Sequence, residues 1–374
     1  MIPANDFRRQ WEDLRADTLA AVEQVGASGW YVLGDQVRSF EKALAAYWGV
    51  PHAVGVASGL DAIEISLRVL GCAPGDRVLT TPLSAFATTL AIVKIGAVPA
   101  FVDTDERGLI DLAQCRKLLE VRKDIRYFVP VHLYGQALDL AELARLRDDF
   151  DLRIVEDCAQ SIGATSGGRV TGSVGQLAAT SFYPTKNLGA MGDGGAILTP
   201  HAAAAEHAKA LRDYGQTAKY CHTLIGYNSR LDEIHAAILS RAALPRLNGW
   251  IERRRQIAQA YLAGIHHRAV RLLPMDKGSS WHLFPVFVDS AQRASFLEHL
   301  HSQGIGTGIH YPLPIPEQPA MRDSLHELAG DYSVARRLCA SEVSLPIHPY
   351  LTDHEVGQVI ATVNCWQAAC VQRP

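Results

Sequence analysis

Short apolar runs alternate along much of the chain with longer stretches whose apolar positions recur at helical spacing. Residues 36–48 show that spacing, with Phe40, Leu44 and Tyr47 on one stripe, and further helices are predicted over 60–70, 86–95, 138–149 and 201–212. Between them "DRVLTTP", "VPAFVDTD", "IRYFVPVHLYG", "LRIVEDCAQ", "AATSFYP" and "GGAILTP" read as buried strands, since runs without polar alternation fit strands covered on both faces. The pattern predicts an α/β fold, with helices on both faces of a largely parallel sheet. From about residue 231 to 263 it turns long-helical and arginine-rich. The strand-like "WHLFPVFVD", a helix through 300, "GIGTGIHYP" and a final helix after Thr352 follow. A domain boundary is expected near 247–255. It divides a large domain with an N-terminal helical segment, 1–250, from a smaller C-terminal α+β domain, 251–374.

At 374 residues and 48% hydrophobic, the chain can bury enough core for two domains. A formal net charge of −3 and a pI near 6.6 give no basic footprint for nucleic acid or an anionic membrane. No apolar run approaches the roughly 18 residues of a membrane helix. The N-terminal "MIPANDFRRQWEDLRADTLAAVEQV" is charged and amphipathic, unlike a signal peptide. Cys72, Cys115, Cys158, Cys221, Cys339, Cys365 and Cys370 form an odd set without a CxxC pair, as expected of reduced thiols. A soluble cytoplasmic protein of enzyme size is expected.

One lysine stands apart. In "SFYPTKNLGAMGDGGA", residues 181–196, Lys186 occupies an apolar, glycine-rich turn with no carboxylate beside it. Open α/β sheets bind ligands at the carboxyl ends of their strands. "LRIVEDCAQ" climbs there through Ile154 and Val155 into Glu156 and Asp157, with Gln160 just beyond. A carboxylate in that place is costly to bury unless a cation or hydrogen-bond donor meets it; the competing reading is a cap on the next helix. "VASGLDAIEISL" puts Ser58 and Gly59 where a strand gives way to a helix, and free N–H groups at such a start suit a phosphate. Ser181 is placed to add a hydroxyl.

A lysine, a buried carboxylate and a phosphate anchor are what pyridoxal 5'-phosphate requires. Desolvation in the apolar turn favours the neutral amine of Lys186, whereas an ordinary snorkelling surface lysine would need no such surroundings. "GAMGDGG" lacks the GxGxxG spacing of a nicotinamide site. His266, His267, His299, His301, His348 and His354 lack a supporting acidic or cysteine cluster, so no metal is expected.

The stretches "WYVLGDQVRSFEKALAAYWGV", "SGLDAIEISLRVLG", "GAVPAFVDTD", "PVHLYGQALDL", "VEDCAQSIGA", "SFYPTKNLGAMGDGGAIL", "GYNSRLDEIHAAIL" and "GIHYPLPI" run from about Trp30 to Tyr350. In this order they resemble the DegT/StrS-type sugar aminotransferases. The resemblance implies the aspartate aminotransferase fold (fold type I). It also implies transfer of an amino group from an amino acid, expected to be glutamate, to a nucleotide-linked 3-keto or 4-keto deoxyhexose. Lys186 matches the Schiff-base lysine, Asp157 the partner of the pyridine nitrogen, Gln160 the glutamine beside the ring hydroxyl, and Phe86 the aromatic stacked on the ring. The Gly59 and Leu60 amides and the Ser181 hydroxyl match the phosphate anchor. Asn228 matches a residue reaching that phosphate from the partner subunit of a homodimer with shared active sites. Trp30, Tyr31, Tyr183, His310 and Tyr311 match stretches bordering the sugar, as contacts or as packing. Arg230 is the candidate for the donor carboxylate, with an interface ion pair as its other reading.

The chain departs from the pattern in places. Leu60 and Ala85 stand where threonine is frequent, and Pro316 where histidine often borders the entrance. "GLDA" is similar to members that aminate carbon 3. Related dehydratases carry histidine at the lysine position, and a non-catalytic regulatory relative would be expected to lose Lys186 or Asp157; both are present.

Overall fold

The computed structural model describes residues 1–368, so Cys370 and the end of the 251–374 segment lie outside it. Eight strands make one sheet, in the spatial order His52–Val56, Gly195–Thr199, Leu177–Ser181, Arg153–Asp157, Ile125–Phe128, Arg77–Thr80, Val98–Phe101, Glu327–Leu328. From Leu177–Ser181 onward every neighbouring pair is parallel, while Gly195–Thr199 runs antiparallel to both its neighbours. Helices cover both faces. Val78, Tyr127 and Val155 enter one core with Val54 and Ile65, and their chain neighbours Leu79, Phe128 and Ile154 enter the opposite core with Leu140 and Leu143. Side chains alternate across a strand, so a strand buried on both sides must be apolar throughout. The expected type I fold is the fold observed.

Local chemistry explains where the elements stop. Helix Asp35–Trp48 buries Phe40, Leu44 and Trp48, and it ends at Gly49 with φ of 75°. Its first turn is closed from a distance: the Gly34, Gln36 and Val37 N–H groups all donate to the buried Glu233 carboxylate. In "IRYFVPVHLYG" only Ile125–Phe128 is strand. Pro130 has no N–H to give, and Tyr134 and Gly135 take φ of 63° and 94°, turning the chain into the site. The 231–263 stretch is one winding rod, Glu233–Ile238, a wider turn at Leu239–Ala243, a tight turn containing Pro245, then Leu247–Gly264.

The expected boundary at 250/251 thus falls within a continuous helix. Beyond it, Arg271–Leu272, Phe284–Phe287 and Glu342–Leu345 form a three-stranded antiparallel sheet. That sheet packs with helices Arg293–Ser302 and Asp353–Cys365 around Phe284, Phe296, Val343, Val359 and Trp366, and Ile2 joins this core from the far end of the chain. Buried Arg254 fastens the rod to it by donating to the carbonyls of Trp281, His282 and Ile347. Among the described residues no helix is long and apolar enough to cross a membrane.

Candidate active site

A cavity of about 550 Å³ opens where the carboxyl ends of the parallel strands face the second sheet. Lys186 reaches it from the hairpin that joins Leu177–Ser181 to Gly195–Thr199. That hairpin is tightly folded: Lys186 N–H donates to Tyr183 O (2.8 Å) and Ala190 N–H to Phe182 O (2.7 Å). Phe182 is buried edge-on against Phe40, with centroids 5.3 Å apart. A Cβ on Gly189 would lie 2.4 Å from Pro184 O, so the turn excludes any side chain there. Lys186 is partly exposed to this cavity and also borders a smaller pocket beside Asn187 and Arg254, with protein packed around the rest of its side chain. Desolvation therefore lowers its pKa to about 8, against the opposing pull of Asp157.

Asp157 ends the strand Arg153–Asp157 and lines the same cavity. Its Oδ2 accepts from Thr88 Oγ1 (2.8 Å) and its Oδ1 from the Ala159 N–H (3.0 Å). Thr88 is held in turn by Ser84 Oγ at 2.7 Å. The carboxylate is thus oriented, and it touches the following turn without capping a helix. Its neighbour Glu156 points to the other face and is saturated. It accepts from the Gly172, Val174 and Gly175 N–H groups and meets His132 Nε2 at 2.9 Å. Burial would raise its pKa, but His132 and those N–H groups lower it. His132, Glu156 and Cys158 cluster closely enough to suggest a metal. However, His132 Nδ1 already accepts from Leu138 N–H and burial pushes the Cys158 thiol up, so no free ligand set remains.

At the helix start, Ser58 caps Gly59–Val69 by accepting from Asp61 N–H, and Gly59 and Leu60 line the cavity beside Ser181. Two absent side chains permit this. A Cβ on Gly59 would fall 2.7 Å from Ser181 Cβ, and one on Gly195 2.4 Å from Ser58 O. Helix start and hairpin therefore touch backbone to backbone.

The opposite wall is a hydrogen-bonded net. Gln160 accepts from Tyr134 N–H (2.7 Å) and donates to Tyr311 Oη (3.0 Å), while Tyr134 Oη donates to His310 O (2.6 Å). His310, Tyr311 and His282 line the cavity. Burial lowers His310 to about 4 and His282 well below its ordinary value, so both rings are neutral. Tyr183 sits at the rim, half exposed.

Several expected residues lie elsewhere in the chain. Phe86 is half-buried against Phe101, Ile315 and Met321, and the wall at its helix start is made by Ala85, Ala87 and Thr88 instead. Trp30 and Tyr31 are 62% and 55% exposed, with Trp30 Nε1 donating to Val32 O. Asn228 is exposed, outside this chain's own cavity. Arg230 is engaged, since it donates to Asp213 Oδ1 (3.0 Å) and lies 5.1 Å over the Tyr214 ring. The ion pair it forms is therefore within the chain rather than across an interface, and Arg230 does not line this chain's cavity. Thr88, His282 and Ser344 were not anticipated. The one available signal was the polar pair of "FATT" in an otherwise apolar helix.

Comparison with known proteins follows the same outline. A dTDP-3-amino-3,4,6-trideoxy-alpha-D-glucose transaminase from Streptomyces venezuelae is 40% identical over 369 residues, covering 98% of this chain and 96% of the relative. A pleiotropic regulatory protein from Geobacillus stearothermophilus is 37% identical over 366 residues, 97% of both. The solved structure of S. venezuelae DesV superposes with a TM-score of 0.92 at 39% identity, covering 98% of each chain. A Bacillus subtilis structure with bound cofactor PMP gives 0.86 at 28%, covering 94% of this chain and 81% of that one. The family model spans residues 12–364, which takes in Lys186, Asp157 and all of the cavity lining except Ala4 and Asn5. On that match the chain belongs to the DegT/DnrJ/EryC1/StrS aminotransferase family.

Proposed function

We propose that this aminotransferase uses pyridoxal 5'-phosphate to move an amino group from an amino acid, glutamate by preference, to a nucleotide-linked keto-sugar. The observation that carries the reading is Lys186, desolvated to about 8 in a cavity it shares with the oriented carboxylate of Asp157. The residues fit the coenzyme: a near-neutral amine, a carboxylate aimed at the same space, and a helix start opened by Gly59 and Gly195. When bound, pyridoxal phosphate supplies an aldehyde that receives the amino group and a ring that withdraws electrons.

The chain's own groups do the rest. Lys186, close to half neutral near pH 8, takes up and returns the proton at the donor's α-carbon. Asp157, fixed by Thr88 and the Ala159 N–H, holds a proton on the ring nitrogen. The Gly59 and Leu60 amides at the positive end of their helix, with Ser181, bind the phosphate. Neutral His310 and the Gln160–Tyr311 pair border the sugar.

The 3-amino sugar in the name of the S. venezuelae relative supports carbon 3 as the position aminated. We take the working unit to be a cytoplasmic homodimer in which Asn228 completes the partner's phosphate site. The regulatory name of the Geobacillus relative raises a non-catalytic alternative, which the joint presence of Lys186 and Asp157 disfavours. The test is a half-reaction assay. Purified protein is loaded with amino donor and challenged with a panel of 3-keto and 4-keto nucleotide sugars. Transfer to none of them would overturn the reading.

A further inference from the structure

The strand Glu342–Leu345 carries two polar side chains into a buried line behind His310. Glu342 is wholly buried and Ser344 nearly so. Ser344 Oγ lies 2.5 Å from Glu342 Oε1 and 2.9 Å from His310 Nδ1, and Glu342 Oε2 accepts the His310 backbone N–H at 2.6 Å. Paired backbone bonds between Gly308 and Ser344 keep the two segments in register. The imidazole lies over Gly308, where a Cβ would fall 2.6 Å from Cε1. His310 and Ser344 both line the cavity, and among the described residues no protein group is hydrogen-bonded to His310 Nε2.

We propose that Glu342, acting through Ser344, is a positioning device that sets the tautomer of His310, and so decides whether Nε2 offers the cavity a lone pair or a proton. The hydroxyl of Ser344 has one proton to give. While Glu342 is ionised, Ser344 must donate to it and therefore accepts from His310 Nδ1–H, leaving Nε2 a bare acceptor. When Glu342 takes a proton, that proton sits on Oε1, because Oε2 already faces an N–H donor. Ser344 then accepts from Oε1 and donates to Nδ1, and the neutral ring carries its hydrogen on Nε2. One proton gained two hydrogen bonds away reverses the polarity of a single nitrogen in the cavity.

The surroundings keep the switch confined to Glu342. Its burial raises it to about 8, partly opposed by the Ser344 hydroxyl, the His310 N–H and Arg293. The other titratable groups facing it are Tyr134, Tyr311 and Cys339, all pushed up by burial and so protonated through that range. Burial holds His310 down to about 4, so its ring changes tautomer there without changing charge. Lys186, which faces His310, is engaged by the coenzyme in the holoenzyme. A bare Nε2 suits a sugar hydroxyl and a protonated one suits a ketone oxygen; this consequence and the engagement of Lys186 by the coenzyme rest on the function proposed above.

The experiment uses holoenzyme labelled with 15N-histidine, with the His310 resonances assigned by difference against His310→Gln. In the wild type the two ring nitrogens should exchange protonated and bare shifts as pH rises through about 8. Ser344→Ala should lose that exchange and Ser344→Thr should keep it. In Glu342→Gln the amide oxygen must accept the His310 N–H, so its NH₂ donates to Ser344 and locks the Nε2–H tautomer at every pH. A single wild-type tautomer between about pH 6 and 10, or an unchanged titration in Ser344→Ala, overturns the proposal. Should Glu342→Gln not fold, the two Ser344 variants decide. An absence of transaminase activity would sink the functional reading and leave this spectroscopic answer intact.

Discussion

Burial lowers the Lys186 ammonium to about 8, and the Asp157 carboxylate across the cavity pulls the other way without cancelling it. The two sit on adjacent strands' ends, Asp157 at the end of one and Lys186 in the hairpin that extends the next. The pairing keeps an amine near its titration point at the place where an ordinary lysine would stay charged.

The first prediction concerns the coenzyme-free protein. Folded Lys186 binds its proton more weakly than in the unfolded chain, from about 8 against the ordinary 10.5. Between those values the unfolded state holds more protons, so this group's contribution to stability rises with pH across that window. Below about 8 the folded chain carries a desolvated ammonium at full cost. Lys186→Met should therefore stabilise coenzyme-free protein at pH 7 by roughly 1–3 kcal/mol in denaturant unfolding. The same variant should lose the yellow colour and absorption band of the coenzyme-loaded wild type. Wild-type loading should quicken with pH and level off above about 8. A Met variant no more stable than wild type would mean that water solvates the amine.

The second prediction separates Asp157 from its support. Asp157→Ala should leave folding largely intact and slow transamination by roughly two to three orders of magnitude, the scale of a lost electrostatic stabiliser. Thr88→Val removes one hydrogen bond to that carboxylate. A bond to a charged group is worth about 1.5–3 kcal/mol, so kcat should fall by roughly ten- to a hundredfold. Near-normal turnover in Asp157→Ala would reduce the residue to a structural acceptor for Thr88 and Ala159.

Why some of this site could be read from the chain, and some could not, follows from the range of each signal. Lys186, Asp157 and the Ser58–Gly59 turn were legible because each depends on its immediate neighbours: an apolar glycine turn, the end of an unbroken apolar run, a strand-to-helix switch. Glu342–Leu345 was not legible as a strand. It opens on a buried carboxylate whose justification, the His310 N–H, lies 32 residues away. Thr88 acquires its partner across a gap of 69 residues, and no local pattern announces that. Phe86 shows a different limit. Its motif places it at the cavity edge, but the ring turns toward Phe101 and Met321, and a rotamer is not written in a spacing.

The third prediction tests the close contact beneath the proposed phosphate site. A Cβ on Gly195 would meet Ser58 O at 2.4 Å and Gly59 N at 2.8 Å, both backbone atoms that cannot swing aside. Gly195→Ala should push the helix start away from Ser181, destabilise the protein by roughly 1–3 kcal/mol, and weaken coenzyme binding at least as much. Unfolding midpoint and coenzyme dissociation constant measure the two effects. A stable variant with wild-type affinity would show that the amides of Gly59 and Leu60 do not hold the phosphate.

The last prediction addresses what one chain lacks. No arginine lines the cavity among the described residues, and Asn228 is exposed outside it. The segment around Asn228 is nevertheless tied to the helix start at Gly59: Ser229 Oγ donates to Asp61 Oδ2 at 2.6 Å and accepts from Ala57 N–H at 3.1 Å. Just before it, Tyr220 and Ile225 stand 82% and 96% exposed, a large apolar area for a free surface. If that surface is covered by a second copy, Asn228 is carried toward the neighbour's cavity and each site draws on both chains. Lys186→Ala and Asn228→Ala should then each be inactive alone and recover activity when mixed under conditions that exchange subunits. Only one of the two sites in a heterodimer is intact, so recovery should reach roughly a quarter of wild type at equal mixing. Proven heterodimers without recovery would put Asn228 in its own chain's site, and an active monomer would remove the need for a partner altogether.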